Sequence, residues 1–217
     1  MTAIVQTFGK KSLPGGFTSR GKVKLYKSFQ WDKLARNGGD VEQGVVALPQ
    51  TSDYFCLIDD PRHNGSGVRT YAGDDMSPFY VDHNDGFYTY GHKGAELIWT
   101  NVVIPPGGIV QFHYIFLRGE YNAPFNAFGQ FLAMDDANQV VRKATLTQSR
   151  LGPHPSMGNR YRWKASAPID FPNGFSGHLR WAVSNGETRA HGNGNVSAGT
   201  DKYPSALAID FISVLTP

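Results

Sequence analysis

Arg118, Glu120, Tyr121 and Asn122 stand within five residues of one another, immediately after a long alternating apolar run. A cation, a carboxylate, an aromatic face and an amide therefore meet where a strand ends. That combination suits a sugar. The ring face stacks on C–H groups while the polar side chains bond hydroxyls, each such bond contributing about 1 kcal/mol net. The same residues equally suit a salt-bridged turn pressed against a neighbouring subunit. Of the aromatics around this loop, Phe125 and Phe128 read as core, and Tyr121 divides evenly between an exposed contact and a ring tucked over the sandwich end.

Other chemistry finds less support. The acidic turns at Asp59/Asp60, Asp74/Asp75, Asp82/Asp85 and Asp135/Asp136 have the oxygen-rich composition that calcium uses, but none has EF-hand spacing. Asp and Asn populate turns because they bond their own backbone, and that is the expectation for these four. The seven histidines are scattered, and His83 and His92 flank one hairpin without forming a ligand pair of the HExxH kind. There is no GxSxG elbow and no Gly-rich phosphate loop. Glu96, Glu120 and Asp135 are the carboxylates a glycosidase would draw on, but no spacing singles out a pair. No catalytic residue and no metal ligand are assigned, and no cofactor is expected; calcium is the one cation the turns would suit. Asp210 lies in an apolar final strand and so needs donors, such as backbone amides or Arg180, or a cation.

The elements that would position the site are strands. In the run from Ile109, Val110, Phe112, Tyr114 and Phe116 fall on one face and Gln111, His113 and Ile115 on the other, the period of a half-buried strand. A second apolar run, Phe128 to Met134, follows the loop. About a dozen short runs of this kind are separated by turn formers such as His83-Asn84-Asp85-Gly86, and helical periodicity is almost absent. Trp31 to Arg36 reads as one helical turn. The expectation is an all-β, jelly-roll-like two-sheet β-sandwich over residues 41–217, preceded by an extended basic N-terminal arm over residues 1–40.

Charge supports that division. The chain of 217 residues carries +3, but residues 1–39 hold eight Lys or Arg against the single Asp32, leaving a mildly acidic remainder. The basic residues are spread among Gly, Ser and Thr, which favours docking of the arm onto other protein subunits over nucleic-acid binding. An oligomer or larger assembly is expected. Residues 1–20 are expected to order only on a partner. The lone Cys56, within YFCLID, reads as a buried apolar residue. No run is long enough for a membrane span and the start lacks a secretory plan, so the chain reads as soluble, with a virion or extracellular particle as its setting.

The stretch FHYIFLRGEYNAPFNAFGQFLAMD, with SGHLRWAVSNG and the closing SALAIDFISV, resembles a jelly-roll module of large exported bacterial surface and adhesin-like proteins. Glu120-Tyr121, Pro124-Phe125-Asn126, Val183-Ser184-Asn185, and Ser205-Ala206-Leu207 with Asp210 carry the likeness, which covers about residues 95–215. Ala127 stands where that module has Asp. The final strand is also similar to that of carbohydrate-binding jelly rolls, in which its Asp supports a structural calcium. Taken with the absence of catalytic motifs and of a secretory plan, the expectation is a non-enzymatic attachment or assembly protein that recognises a surface glycan or a neighbouring subunit, as a component of a phage virion or phage-like particle or as an adhesin-type module. The alternatives are a purely structural capsid-decorating or tail-associated protein and a polysaccharide-active enzyme on the same scaffold.

Overall fold

The computed structural model describes residues 2–33, 42–47, 52–59, 79–119, 126–151, 156–157, 160–190 and 205–217. In chain order the strands are β1 (Thr2–Gln6), β2 (Phe17–Arg20), β3 (Lys22–Tyr26), β4 (Ser28–Lys33), β5 (Glu42–Ala47), β6 (Phe55–Asp59), β7 (Tyr80–Asp82) and β8 (Phe87–Ile104). They continue as β9 (Gly108–Leu117), β10 (Phe128–Asp135), β11 (Val140–Gln148), β12 (Ser156–Met157), β13 (Arg160–Tyr161), β14 (Lys164–Ala165), β15 (Ile169–Phe171), β16 (Phe175–Ala190) and β17 (Ala206–Thr216). A single 3-10 turn, Ser149–Leu151, is the helical content of the described residues.

Two antiparallel sheets form the sandwich. One runs β14-β9-β17-β6-β3, with β1 added to β17 and β15 to β9; the other runs β11-β10-β16-β8-β2, with β7 added to β8. Between them lies the main core, where Val110, Phe112 and Phe116 of β9 meet Phe131, Leu179 and Trp181. Phe112 packs edge-on to Trp181 at 5.5 Å between centroids. The alternation read from the sequence thus places the expected face of β9 inward, and the all-β sandwich is the fold observed. Ile115 and Leu117 point the other way into a second core. There Trp31, Val46 and Tyr161 of a small sheet ordered β12-β13-β5-β4 cover the outer face of the first large sheet. Strand β10 is buried on both faces because Phe128, Leu132 and Met134 pack outward against Phe79 and Val81.

Two local expectations are corrected. Trp31–Lys33 is strand, not a helical turn: it pairs with Gly44–Glu42 in β5, and burial of the indole among β-sheet residues outweighs weak local helix preference. The described part of residues 1–40 is built into the sheets and does not stand apart as an arm. Strand β1 pairs with β17 from Thr2↔Thr216 to Gln6↔Ile212, β2 pairs with β8, and β3 pairs with β6. Phe8 and Phe17 are buried in the main core, supplying the apolar surface that a Gly- and Lys-rich composition conceals.

Candidate functional site

The loop singled out by the sequence leaves β9 at Arg118 and enters β10 through Asn126. Of its site residues, Arg118 is described and half-buried; Glu120, Tyr121 and Asn122 lie outside the described residues. Both ends of the loop are fixed. The Arg118 carbonyl accepts the Trp31 indole N–H at 3.1 Å, and the Gly119 amide donates to Ser205 Oγ at 2.9 Å. Ser205 Oγ lies 3.2 Å from Ser149 Oγ, and the Ser149 amide donates to the Ala127 carbonyl. At the far end the Asn126 amide donates to the Gly186 carbonyl at 2.8 Å. A Cβ on Gly186 would lie 2.6 Å from Thr89 Cγ2 and 2.8 Å from the Asn126 carbonyl, so only glycine permits that approach.

Asn126 ties this base to the β7–β8 hairpin. Its side-chain amide donates to Thr89 Oγ1 at 3.0 Å and to Gln148 Oε1 at 2.8 Å, while its Oδ1 accepts the Arg150 amide at 3.1 Å. His83 completes the network: its Nε2 lies 2.8 Å from Thr89 Oγ1, and Arg150 Nη2 donates to its Nδ1 at 2.6 Å. A guanidinium can only donate, so Nδ1 is unprotonated and the neutral ring carries its hydrogen on Nε2. Burial lowers the His83 pKa below its ordinary value and the Arg150 charge lowers it further, against the pull of Asp85 and Asp82. The hairpin turn is self-bonded, with Asp82 Oδ1 accepting the Asn84 amide and Asp85 Oδ1 the Phe87 amide. Asn84 and Gly86 take the left-handed conformations the turn requires, at φ 58° and 85°.

This hairpin presents the aromatic surface. Val81 and Thr89 face inward, which turns Tyr80 and Tyr88 outward, their centroids 5.9 Å apart at 36°. Tyr80 and Phe87 are among the exposed large side chains, at 37% and 48%. Lys143, on β11, sets its ammonium 2.8 Å from the Tyr80 ring centroid, and its Nζ is buried with no hydrogen-bond partner among the described residues. Desolvation lowers that lysine to about 8, and Asp82 pulls it back up. Beneath, Gln130 Nε2 donates to the Tyr80 carbonyl at 2.8 Å and to Thr145 Oγ1 at 3.0 Å, so the strand carrying the ring is held from below. Sequence reasoning placed both tyrosines on strands but did not bring them together. The sequence shows aromatics on both sides of His83-Asn84-Asp85-Gly86, but the register that brings these two together is not readable from it.

Of the carboxylates considered for hydrolysis, Glu120 lies outside the described residues and the other two are otherwise engaged. Glu96 is buried against Arg180, with Nε to Oε2 and Nη2 to Oε1 both at 2.7 Å. Asp135 Oδ1 accepts the Ala137 and Gln139 amides at 3.0 and 2.8 Å, the self-bonded turn expected of it. No group of three or more His, Cys, Asp or Glu is placed to hold a metal among the described residues. Asp210 is fully buried in β17 beside a bulge at Phe211, whose φ is 49°. Among the described residues neither Asp210 oxygen closes a hydrogen bond of ordinary geometry, although the Ser52 hydroxyl and the Phe211 amide lie close enough to favour its charged form. Arg180, considered as its partner, is spent on Glu96. Burial raises the Asp210 carboxyl to about 6 and, with Asp210 nearby, pushes the buried Cys56 thiol far above its ordinary value.

No family model and no curated protein matches the chain. Among solved structures it is similar to the K1 cleaved adhesin domain of Lys-gingipain from Porphyromonas gingivalis W83, at 11% identity and TM-score 0.46, over 100% of this chain and 99% of that one. It is also similar to a point mutant of the family 29 carbohydrate-binding module CBM29-2, at 9% identity and TM-score 0.39, over 100% and 93%. A third is TmCBM61 in complex with β-1,4-galactotriose, at 14% identity and TM-score 0.33, over 94% and 90%. These neighbours are adhesin and carbohydrate-binding domains. At such values they bear on neither ligand nor activity, and the sandwich assignment rests on the strand pairing itself.

Proposed function

We propose that the chain is a non-catalytic attachment module that binds a glycan on the Tyr80–Tyr88 face of its β7–β8 hairpin, beside the loop from Arg118 to Asn126. The observation that carries this reading is the paired, outward-facing tyrosines on a hydrogen-bonded base. Two rings 5.9 Å apart span about one sugar residue, and a fixed base reduces the ordering cost of binding. Glu120, Tyr121 and Asn122, whose side chains have the chemistry to bond sugar hydroxyls, belong to this proposal on their sequence alone. The setting in this reading is an exposed cell surface, as the resemblance to adhesin-like modules implies, or a phage particle.

A subunit contact is the second reading, favoured by Ile4 and Val5 on β1, which are 47% and 45% exposed. A glycan array separates the two. The first expects wild-type protein to retain one glycan class, and Tyr80→Ala with Tyr88→Ala to weaken that binding by about tenfold or more. A wild type that retains no glycan, while self-associating through β1, supports the second.

A further inference from the structure

Among the described residues strand β3 ends the seven-stranded sheet, and along it runs a groove of about 710 Å³. Its floor is fixed, because Val23 and Leu25 pack against the main core. Its walls carry Lys11, Lys24 and Lys27, with Tyr26 and Tyr54 between them, and no carboxylate is among the described residues that line it. Lys27 Nζ sits 5.2 Å from the Tyr54 ring centroid, which seats that ammonium in the groove. Three of the eight Lys and Arg that residues 1–39 hold thus line the groove.

We infer that this groove is a second binding site, for an anionic polysaccharide. Three ammonium groups in a lining of this composition attract a polyanion, and Lys places a compact charge that meets sulfate or carboxylate without the planar fork that Arg demands. The lysines on β3 oppose backbone pairing by an added strand, so an acidic peptide would hold by its charges alone, and polyglutamate is one arm of the test. A nucleic acid would stack bases on whole aromatic faces. Here Tyr26 meets Phe29 edge-on at 5.0 Å and Lys27 lies over Tyr54, so the two rings do not form the stacked, unshared platform that single-stranded nucleic acid uses. The site is separate from the hairpin and does not depend on it.

Affinity electrophoresis of the full chain through dextran sulfate and through neutral dextran tests the inference. Dextran sulfate should retard the wild type and neutral dextran should not. Lys11→Gln with Lys24→Gln and Lys27→Gln should weaken retardation by about tenfold or more, and about 0.5 M salt should abolish it. Tyr80→Ala with Tyr88→Ala should leave it unchanged, so loss of the hairpin site and loss of this one are told apart. An unchanged melting curve shows that the lysine variant is folded. Equal retardation of wild type and lysine variant overturns the site. Stronger binding to polyglutamate or duplex DNA than to dextran sulfate, through the same lysines, overturns the ligand class.

Discussion

Arg180 and Glu96 form a two-point ion pair across β16 and β8, both side chains buried, with Arg180 Cζ 5.2 Å from the Phe79 ring centroid. Arg20 approaches the same carboxylate from β2 at 3.5 Å. A buried pair of this kind is expensive to break from one side, because the remaining charge keeps its desolvation cost. Arg180→Met should destabilise by about 3–5 kcal/mol, and Glu96→Leu with Arg180→Met should recover most of that loss. Denaturant unfolding of the single and double variants checks this. A double variant no more stable than the single one would show that the pair itself holds the fold.

Asp210 acts in the opposite direction. Its folded pKa is raised from 3.8 to about 6, so the folded state disfavours the charged form. No penalty exists below the unfolded pKa; it grows as the unfolded chain ionises and is complete once pH has risen through about 6. Asp210→Asn should therefore stabilise the protein at pH 7.5 by up to about 3 kcal/mol and have little effect near pH 4. Urea unfolding at the two pH values measures it. A variant less stable than wild type at pH 7.5 would mean that the carboxylate is compensated.

Burial, and after it the Arg150 charge, lower the His83 pKa, so Arg150→Met should raise it toward 6.5 without fully restoring it. His83 favours the fold when neutral, so its contribution is present above 6.5 and is lost as pH falls through the lowered pKa. Imidazole proton shifts followed by NMR give both values. No change on substitution would place the shift entirely in burial.

The N-terminal strands should be required for stability. Deleting residues 2–20 removes β1, β2 and the buried rings of Phe8 and Phe17. Loss of a single buried Phe costs about 3–5 kcal/mol, so the truncated chain should be unfolded or melt far below the full one. An unchanged melting temperature would show that these strands dock without contributing to the core.

What was legible in the sequence followed local periodicity. The inward face of β9, the apolar run of β10 and the turn at His83–Gly86 all declare themselves within a few residues. What was not legible depended on partners far along the chain. Thr2 faces Thr216 across the sheet, and nothing near Thr2 announces that pairing. Strand β8 continues through Gly91 and Gly94, where the composition suggests a break, because β16 pairs along its length. For the site, the position of Arg118 at the strand end was readable. The neighbouring of Tyr80 and Tyr88 was not, because it arises from the register Asp82↔Tyr88 and Tyr80↔Tyr90 and not from spacing in the sequence.

A glycan held on the hairpin face would touch the Tyr80 and Tyr88 rings. NMR titration of the full chain with the glycan selected on the array tests it most directly, by reporting which ring signals respond. The Tyr80 and Tyr88 ring protons should shift and saturate together with the ligand, while those of buried Phe112 stay fixed. Saturable shifts confined to other parts of the surface, with both tyrosines unmoved, would contradict it.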